Sequence, residues 1–191
     1  MSPRTTEQYE EIRESKRALI MNTALKLFAE EGYYITSISK IASEANISKG
    51  NLYNYFESKE NLLSEIFHLG LKEIFESFDP NHDGVLTEDE LKLFINKSFL
   101  KLKDNLAFWK LYFILIMKPS VFKIYKKQFM ELIIPLIQTL ENYYSAKGSK
   151  NPNAEARLLG ATLDGVGMNY VFDPENFPLN IVKNIIIEKY I

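Results

Sequence analysis

The sequence holds no cysteine. Disulfides, thiolate zinc sites and cysteine nucleophiles are therefore excluded. Histidine is scarce too, with two residues, His68 and His82. They stand at no paired-ligand spacing, and no glycine-rich phosphate cradle accompanies them, so an enzyme is not expected. Gly and Pro number 8 and 7 in 191 residues and fall at discrete points, which leaves no linker or low-complexity tract. Long apolar runs are absent. The longest, Leu111–Met117, falls far short of the roughly 20 residues that a membrane helix needs. The opening MSPRTTEQYEEIRESKR is polar and mixed in charge, unlike a signal or transit peptide. A cytoplasmic chain without a membrane partner is the expectation. Positive charge is scarce as well: the net charge is -2, and residues 1–60 carry eight Lys/Arg against nine Asp/Glu. Any DNA-binding head there has to place its cations locally.

Apolar residues are plentiful at 46%, enough for a core in a chain of this length. Their spacing is helical almost throughout. Ile20, Ala24, Leu27 and Phe28 stand at i, i+4, i+7 and i+8, and Gly32 closes that helix. Thr36 is the expected cap of the next, whose buried face is Ile38, Ile41, Ala42 and Ala45. Ser48 caps a short helix to about residue 56, and Ser58 opens a longer one to about residue 78. Further helices are expected over 87–102, 105–117, 120–146 with a kink at Pro135, 153–172, and from Pro178 to the end. Strand-like alternation is absent, so the fold class is all-α.

Two short helices joined by a tight turn make a helix-turn-helix. Ala42 and Ala45 let the second helix cross closely. That helix offers Ser48, Lys49, Asn51, Tyr53, Asn54 and Tyr55 around the apolar roots Leu52 and Phe56. Polar tips on an anchored helix are what reading DNA requires. The plainer account, in which tyrosines pack and lysines are solvated, suits Leu52 and Phe56 but not the whole run.

The run GYYITSISKIASEANISKGNLYNYFESKENLL, residues 32–63, resembles the signature of the tetracycline-repressor (TetR) family. The likeness rests on Gly32, Thr36, Ser37, Ile41, Ala42, Ser48, Lys49, Gly50, Leu52, Tyr53, Tyr55, Phe56, Lys59 and Leu62. The chain departs at Asn46, where the family usually has glycine; asparagine also tolerates the left-handed conformation. The resemblance implies a three-helix head followed by a helical bundle that binds an inducer and dimerises. It implies phosphate contacts from Thr36, Lys49, Tyr53, Tyr55 and Lys59. Ser48, Asn51 and Asn54 would face base edges or phosphates, Ser37 belongs to the same surface, and Gly50 lets the backbone approach. The implied domains are an arm at 1–12, a head at 13–73 and a regulatory part at 74–191. The implied function is a repressor, released from a palindromic double-stranded DNA operator by a small molecule. Arg4, Arg13, Lys16 and Arg17 could reach a minor groove, although a frayed arm is the better expectation.

Aromatics crowd residues 105–130. Most suit plain core, and Trp109, Tyr112, Tyr125 and Met168 are the ones expected to face a ligand cavity. Gly160, Gly165 and Gly167 sit inside one helix, where close helix approach would offset about 1 kcal/mol each. Leu179, Val182, Ile185, Ile186 and Ile187 give the last helix an apolar content that suits a homodimer surface.

Residues 79–90, DPNHDGVLTEDE, spell a calcium loop of the EF-hand type. Asp79, Asn81 and Asp83 stand at positions 1, 3 and 5, Gly84 at 6, Val85 at 7, Thr87 at 9 and Glu90 at 12. Ordinary turn pairs and a Thr87–Glu90 capping box explain most of these letters, but not Asn81 or the apolar Leu86. No second such loop exists in the chain, and no cofactor is required by the main reading. Calcium here is an expectation beside it: a metal that would fix the angle between two helices. The alternative function is a calcium-sensing helical module, alone or combined with DNA binding.

Overall fold

The computed structural model of the chain describes residues 5–81 and 83–191. Arg4 and His82 lie outside them. The described residues form helices and no strand: α1 Thr6–Glu30, α2 Ile38–Glu44, α3 Lys49–Tyr53, α4 Lys59–Phe75, α5 Glu88–Asp104, α6 Leu106–Ile116, α7 Pro119–Ala146, α8 Pro152–Phe172 and α9 Leu179–Tyr190. The chain divides into two compact units, Met1–Ile66 and Phe67–Ile191. The division falls inside α4, earlier than the boundary expected at 73/74.

In the first unit, α1 starts with a capping box in which Thr5 and Gln8 satisfy each other's backbone N–H groups. Residues 6–12 of the expected frayed arm are therefore helix, while residues 1–4 lie outside the described ones. Arg13 and Lys16 are exposed on α1, while Arg17 bonds Glu65 at 2.8 Å and lies over the Phe56 ring. Gly32 ends α1 at φ +98°, a conformation that side chains disfavour. Ile20, Ala24, Phe28, Ile41, Leu52, Phe56 and Leu62 are all buried in this unit. Each large apolar side chain there contributes about 1.5–3 kcal/mol.

In the second unit, α7 packs chiefly along α8, and α5 along α9. α7 runs through Pro135 as one helix. Phe67 stacks on Tyr125 at 4.4 Å between ring centroids. Gly70 leaves no room for a side chain: a Cβ there would stand 2.2 Å from the Phe108 ring. Gly167 is held the same way, 2.9 Å from Phe113. Gly160 and Gly165 meet no atom within 4 Å, so the close approach expected for all three glycines holds for Gly167 alone. On α9, Leu179 and Ile186 join the unit's own core, while Ile181 and Ile185 are exposed.

Candidate functional site

The turn between α2 and α3 is built by Asn46 at φ +53°. Ile47 N–H reaches back to the Ala42 carbonyl at 2.9 Å and Asn46 N–H to Ser43 at 3.0 Å. This double closure satisfies the end of α2 and turns the chain sharply. Ser48 Oγ then accepts from Asn51 N–H at 3.1 Å and caps α3. Leu52 and Phe56 are buried, which fixes the helix by one face. The other face presents Lys49, Gly50, Tyr53 and Asn54 to solvent, with Asn51 and Tyr55 half-buried. A Cβ on Gly50 would meet nothing. Packing within the head therefore does not require glycine there, and a close external surface would.

One expected phosphate contact, Thr36, is corrected. Thr36 is fully buried, and its hydroxyl donates to the carbonyls of Gly32 at 3.0 Å and Leu27 at 3.4 Å. Nor does it cap α2: Ser37 does, accepting from Lys40 N–H at 3.1 Å. Lys59 Nζ donates to the carbonyls of Tyr33 at 2.8 Å and Thr36 at 2.9 Å. Two of its three donors are thereby engaged while the residue stays half-exposed, and burial lowers its pKa, with Glu60 opposing.

The second unit contains a cavity of about 350 Å3. Trp109 and Tyr112 line it as expected, between Phe113 and Phe129. Tyr125 does not: its ring is 1% exposed and stacked on Phe67. Met168 faces solvent and is not on the wall. Both are corrections, since a helical aromatic stripe has a core side and a cavity side that spacing alone does not distinguish. Three polar residues of the wall were not anticipated: Ser98, Arg157 and Asp164. Arg157, Gly160, Ala161 and Asp164 share one face of α8 at i, i+3, i+4 and i+7, and small residues between two charges were the available signal. The open space beside Gly160 is this cavity. Asp164 is exposed along the cavity, and the protein packed around it excludes part of the water from its carboxyl. That desolvation pushes its pKa up to about 6, because burial disfavours the charged form.

In the 79–90 loop, Gly84 has φ +74°. Asp79 accepts from the N–H groups of Asp83 and Gly84, and Asp83 from Val85. Leu86 is buried in the core beside Phe78, Leu91, Phe94 and Ile95. Glu90 closes a capping box on Thr87, its Oε2 accepting from Thr87 N–H at 2.9 Å. The donors are oxygen atoms of the right kind in the right order for calcium. Among the described residues, however, no three carboxylate or imidazole groups converge as ligands. Glu90 has to leave its cap to join them.

Residues 20–66 match the family of bacterial regulatory proteins, tetR family, and residues 70–98 match the EF hand domain. The regulator YuxN of Bacillus subtilis (strain 168) is 60% identical over 48 residues, covering 25% of this chain and 16% of YuxN. AcrR of Shigella flexneri, an HTH-type transcriptional regulator, is 26% identical over 94% of this chain and 87% of its own. The solved structure of the transcriptional regulator FadR from Bacillus subtilis in complex with stearoyl-CoA superposes with a TM-score of 0.76 at 20% identity, over 91% of this chain and 96% of that one. For the first three curated relatives the match spans only 16–40% of their own length. No helix among the described residues is long and apolar enough to cross a membrane. The chain thus carries a tetR-family head at residues 20–66 and shares its fold, across nearly its whole length, with the FadR structure.

Proposed function

We propose that the protein is a cytoplasmic, dimeric DNA-binding repressor, released from its operator when a small ligand enters the cavity of the second unit. The observation that carries this reading is the exposed face of α3, where Lys49, Tyr53 and Asn54 project from a helix anchored by Leu52 and Phe56. The relatives matched in this head are regulators. A dimer accounts for the apolar side chains Leu158 and Phe172 on α8 and Ile181 and Ile185 on α9, all more than half exposed. It also supplies two heads for a palindrome. Selection of bound sequences from a random DNA pool tests the reading. The expected outcome is an inverted repeat, bound with a steep salt dependence. Recovery of no preferred sequence sinks it.

A second reading is favoured by the EF hand match at 70–98. Calcium would be held by Asp79, Asn81, Asp83, the Val85 carbonyl, Thr87 and Glu90, and it would supply a fixed charge that sets the angle between α5 and the end of α4. Calorimetric titration of chelator-treated protein tests this; absence of heat at millimolar calcium ends it.

A further inference from the structure

The cavity wall is aromatic on one side, with Trp109, Tyr112, Phe113 and Phe129. Ring faces carry negative potential and attract cations. The described wall residues hold two full charges, Arg157 and Asp164. Arg157 is already engaged: its Nε donates to Asn153 Oδ1 at 2.9 Å, and Asn153 in turn donates to Glu141. Asp164 stands seven residues further along α8, about 10 Å away along the axis. Among the described residues no hydrogen bond or ion pair reaches its carboxylate. The carboxylate is open to solvent but has no protein partner, and a cation bound against it gains a charge-assisted contact. Tyr112 cannot provide one. Burial, with the Asp164 charge beside it, raises the phenol pKa well above its usual value and keeps it neutral. Ser98 adds a second unmet demand, since its buried Oγ has no partner and lines the same space. A carboxylate without a protein partner and a buried, unpartnered hydroxyl, both lining a space walled by aromatic rings, call for a ligand that is apolar, positively charged and able to donate N–H bonds.

We propose that the cavity takes an apolar amine, protonated at neutral pH, whose ammonium group is held by Asp164 while its hydrocarbon part packs on Trp109, Tyr112 and their neighbours. This rests on the reading of the cavity as the ligand site. It departs from an anionic ligand such as a fatty acid, which would bring its own carboxylate against Asp164. A cavity of about 350 Å3 lies in the range of small-molecule sites.

The chain has one tryptophan, Trp109, and it lines this cavity, so intrinsic fluorescence reports occupancy directly. Purified full-length protein is titrated at about pH 7.5 with dodecylamine, dodecanol and dodecanoate, each below its micelle concentration. The expected result is saturable change with dodecylamine, bound at least about tenfold more tightly than dodecanoate. Asp164→Asn is expected to weaken dodecylamine by about tenfold or more and to leave dodecanol unchanged. Dodecanol binding by the variant shows that its fold and cavity persist. Dodecanoate binding as tightly as dodecylamine, or an unchanged dodecylamine affinity in Asp164→Asn, overturns the proposal while leaving the cavity as the ligand site. If none of the three compounds perturbs Trp109, the cavity reading itself fails, and the proposal with it.

Discussion

The Lys59 ammonium lies 4.4 Å from the centroid of the Tyr33 ring and donates to the Tyr33 carbonyl at 2.8 Å. One cation thereby ties the start of α4 to the turn after α1. Tyr33 completes the knot by donating its hydroxyl to Glu60 at 3.2 Å. Lys59→Met keeps the aliphatic stem and removes the charge. The expected loss is about 1.5–3 kcal/mol, the range for hydrogen bonds to charged groups. Urea unfolding followed by circular dichroism measures it. A variant as stable as the parent would mean that Lys59 is free for DNA after all.

The helices were legible because their apolar residues repeat at helical spacing and their caps are spelled out. Asn46 takes the left-handed turn expected of it, and Pro152 opens α8 as a first-turn proline should. What the sequence left open was which of two neighbours does a job. Thr36 and Ser37 are both hydroxyl residues before α2, and only packing sends Thr36 inward. Tyr112 and Tyr125 are both aromatic and buried, yet one borders a void and the other a ring. Gly70 gave no sign of its contact with Phe108, because the two are far apart in sequence and the clash involves an atom that glycine lacks.

Tyr53 is 46% exposed on the free face of α3, and Lys49 stands on the same short helix. Tyr53→Ala and Lys49→Ala should each weaken operator binding about five- to thirtyfold for every sequence tested, and Lys49→Ala should lower the salt slope by about 1. Asn51→Ala should instead change which bases are preferred. Fluorescence anisotropy across a salt series separates the outcomes. Parent-level binding by Tyr53→Ala removes tyrosine from the interface.

Gly70→Ala sets two effects against each other. Alanine gains about 1 kcal/mol of helix propensity over glycine. Its methyl carbon would stand 2.2, 2.5 and 2.8 Å from three atoms of the Phe108 ring, and overpacking costs about 1–3 kcal/mol. The Phe108 ring is itself buried and has little room to move. A net loss is expected, read as a lower Tm. Gly50→Ala, on an open helix surface, should be neutral or stabilising while weakening DNA binding.

The calcium-type loop and the cavity share walls. Ile74 and Phe75 precede the loop, Phe94 and Ser98 follow it, and all four line the cavity. A metal that fixes these segments changes the ligand's affinity, and by reciprocity the ligand changes the metal's. Dodecylamine titrations with calcium and with chelator should differ by about fivefold or more, and Asp79→Ala should abolish the difference. Identical curves in a protein shown calorimetrically to hold calcium would disconnect loop from cavity.

Asp164 should make the ligand-free protein less stable as pH rises. Its pKa is about 6 in the fold, against an ordinary carboxyl value of 3.8. Between those values the folded state holds more protons than the unfolded one, so stability falls with increasing pH through this window and is level above it. Asp164→Asn lacks the titration. Its Tm should exceed the parent's at neutral pH, with the gap closing below about pH 4. Amine binding runs the other way: the cation needs the carboxylate, so parent affinity should drop as pH falls through about 6. The other titratable or charged groups of the described wall are Arg157 and Tyr112, the latter kept neutral by burial. A single residue would then lower stability in the empty protein and raise affinity in the occupied one. Thermal melts of both proteins from about pH 4 to 8, with and without dodecylamine, distinguish this from a carboxylate that merely decorates the surface. Superimposable melts would assign Asp164 to the surface.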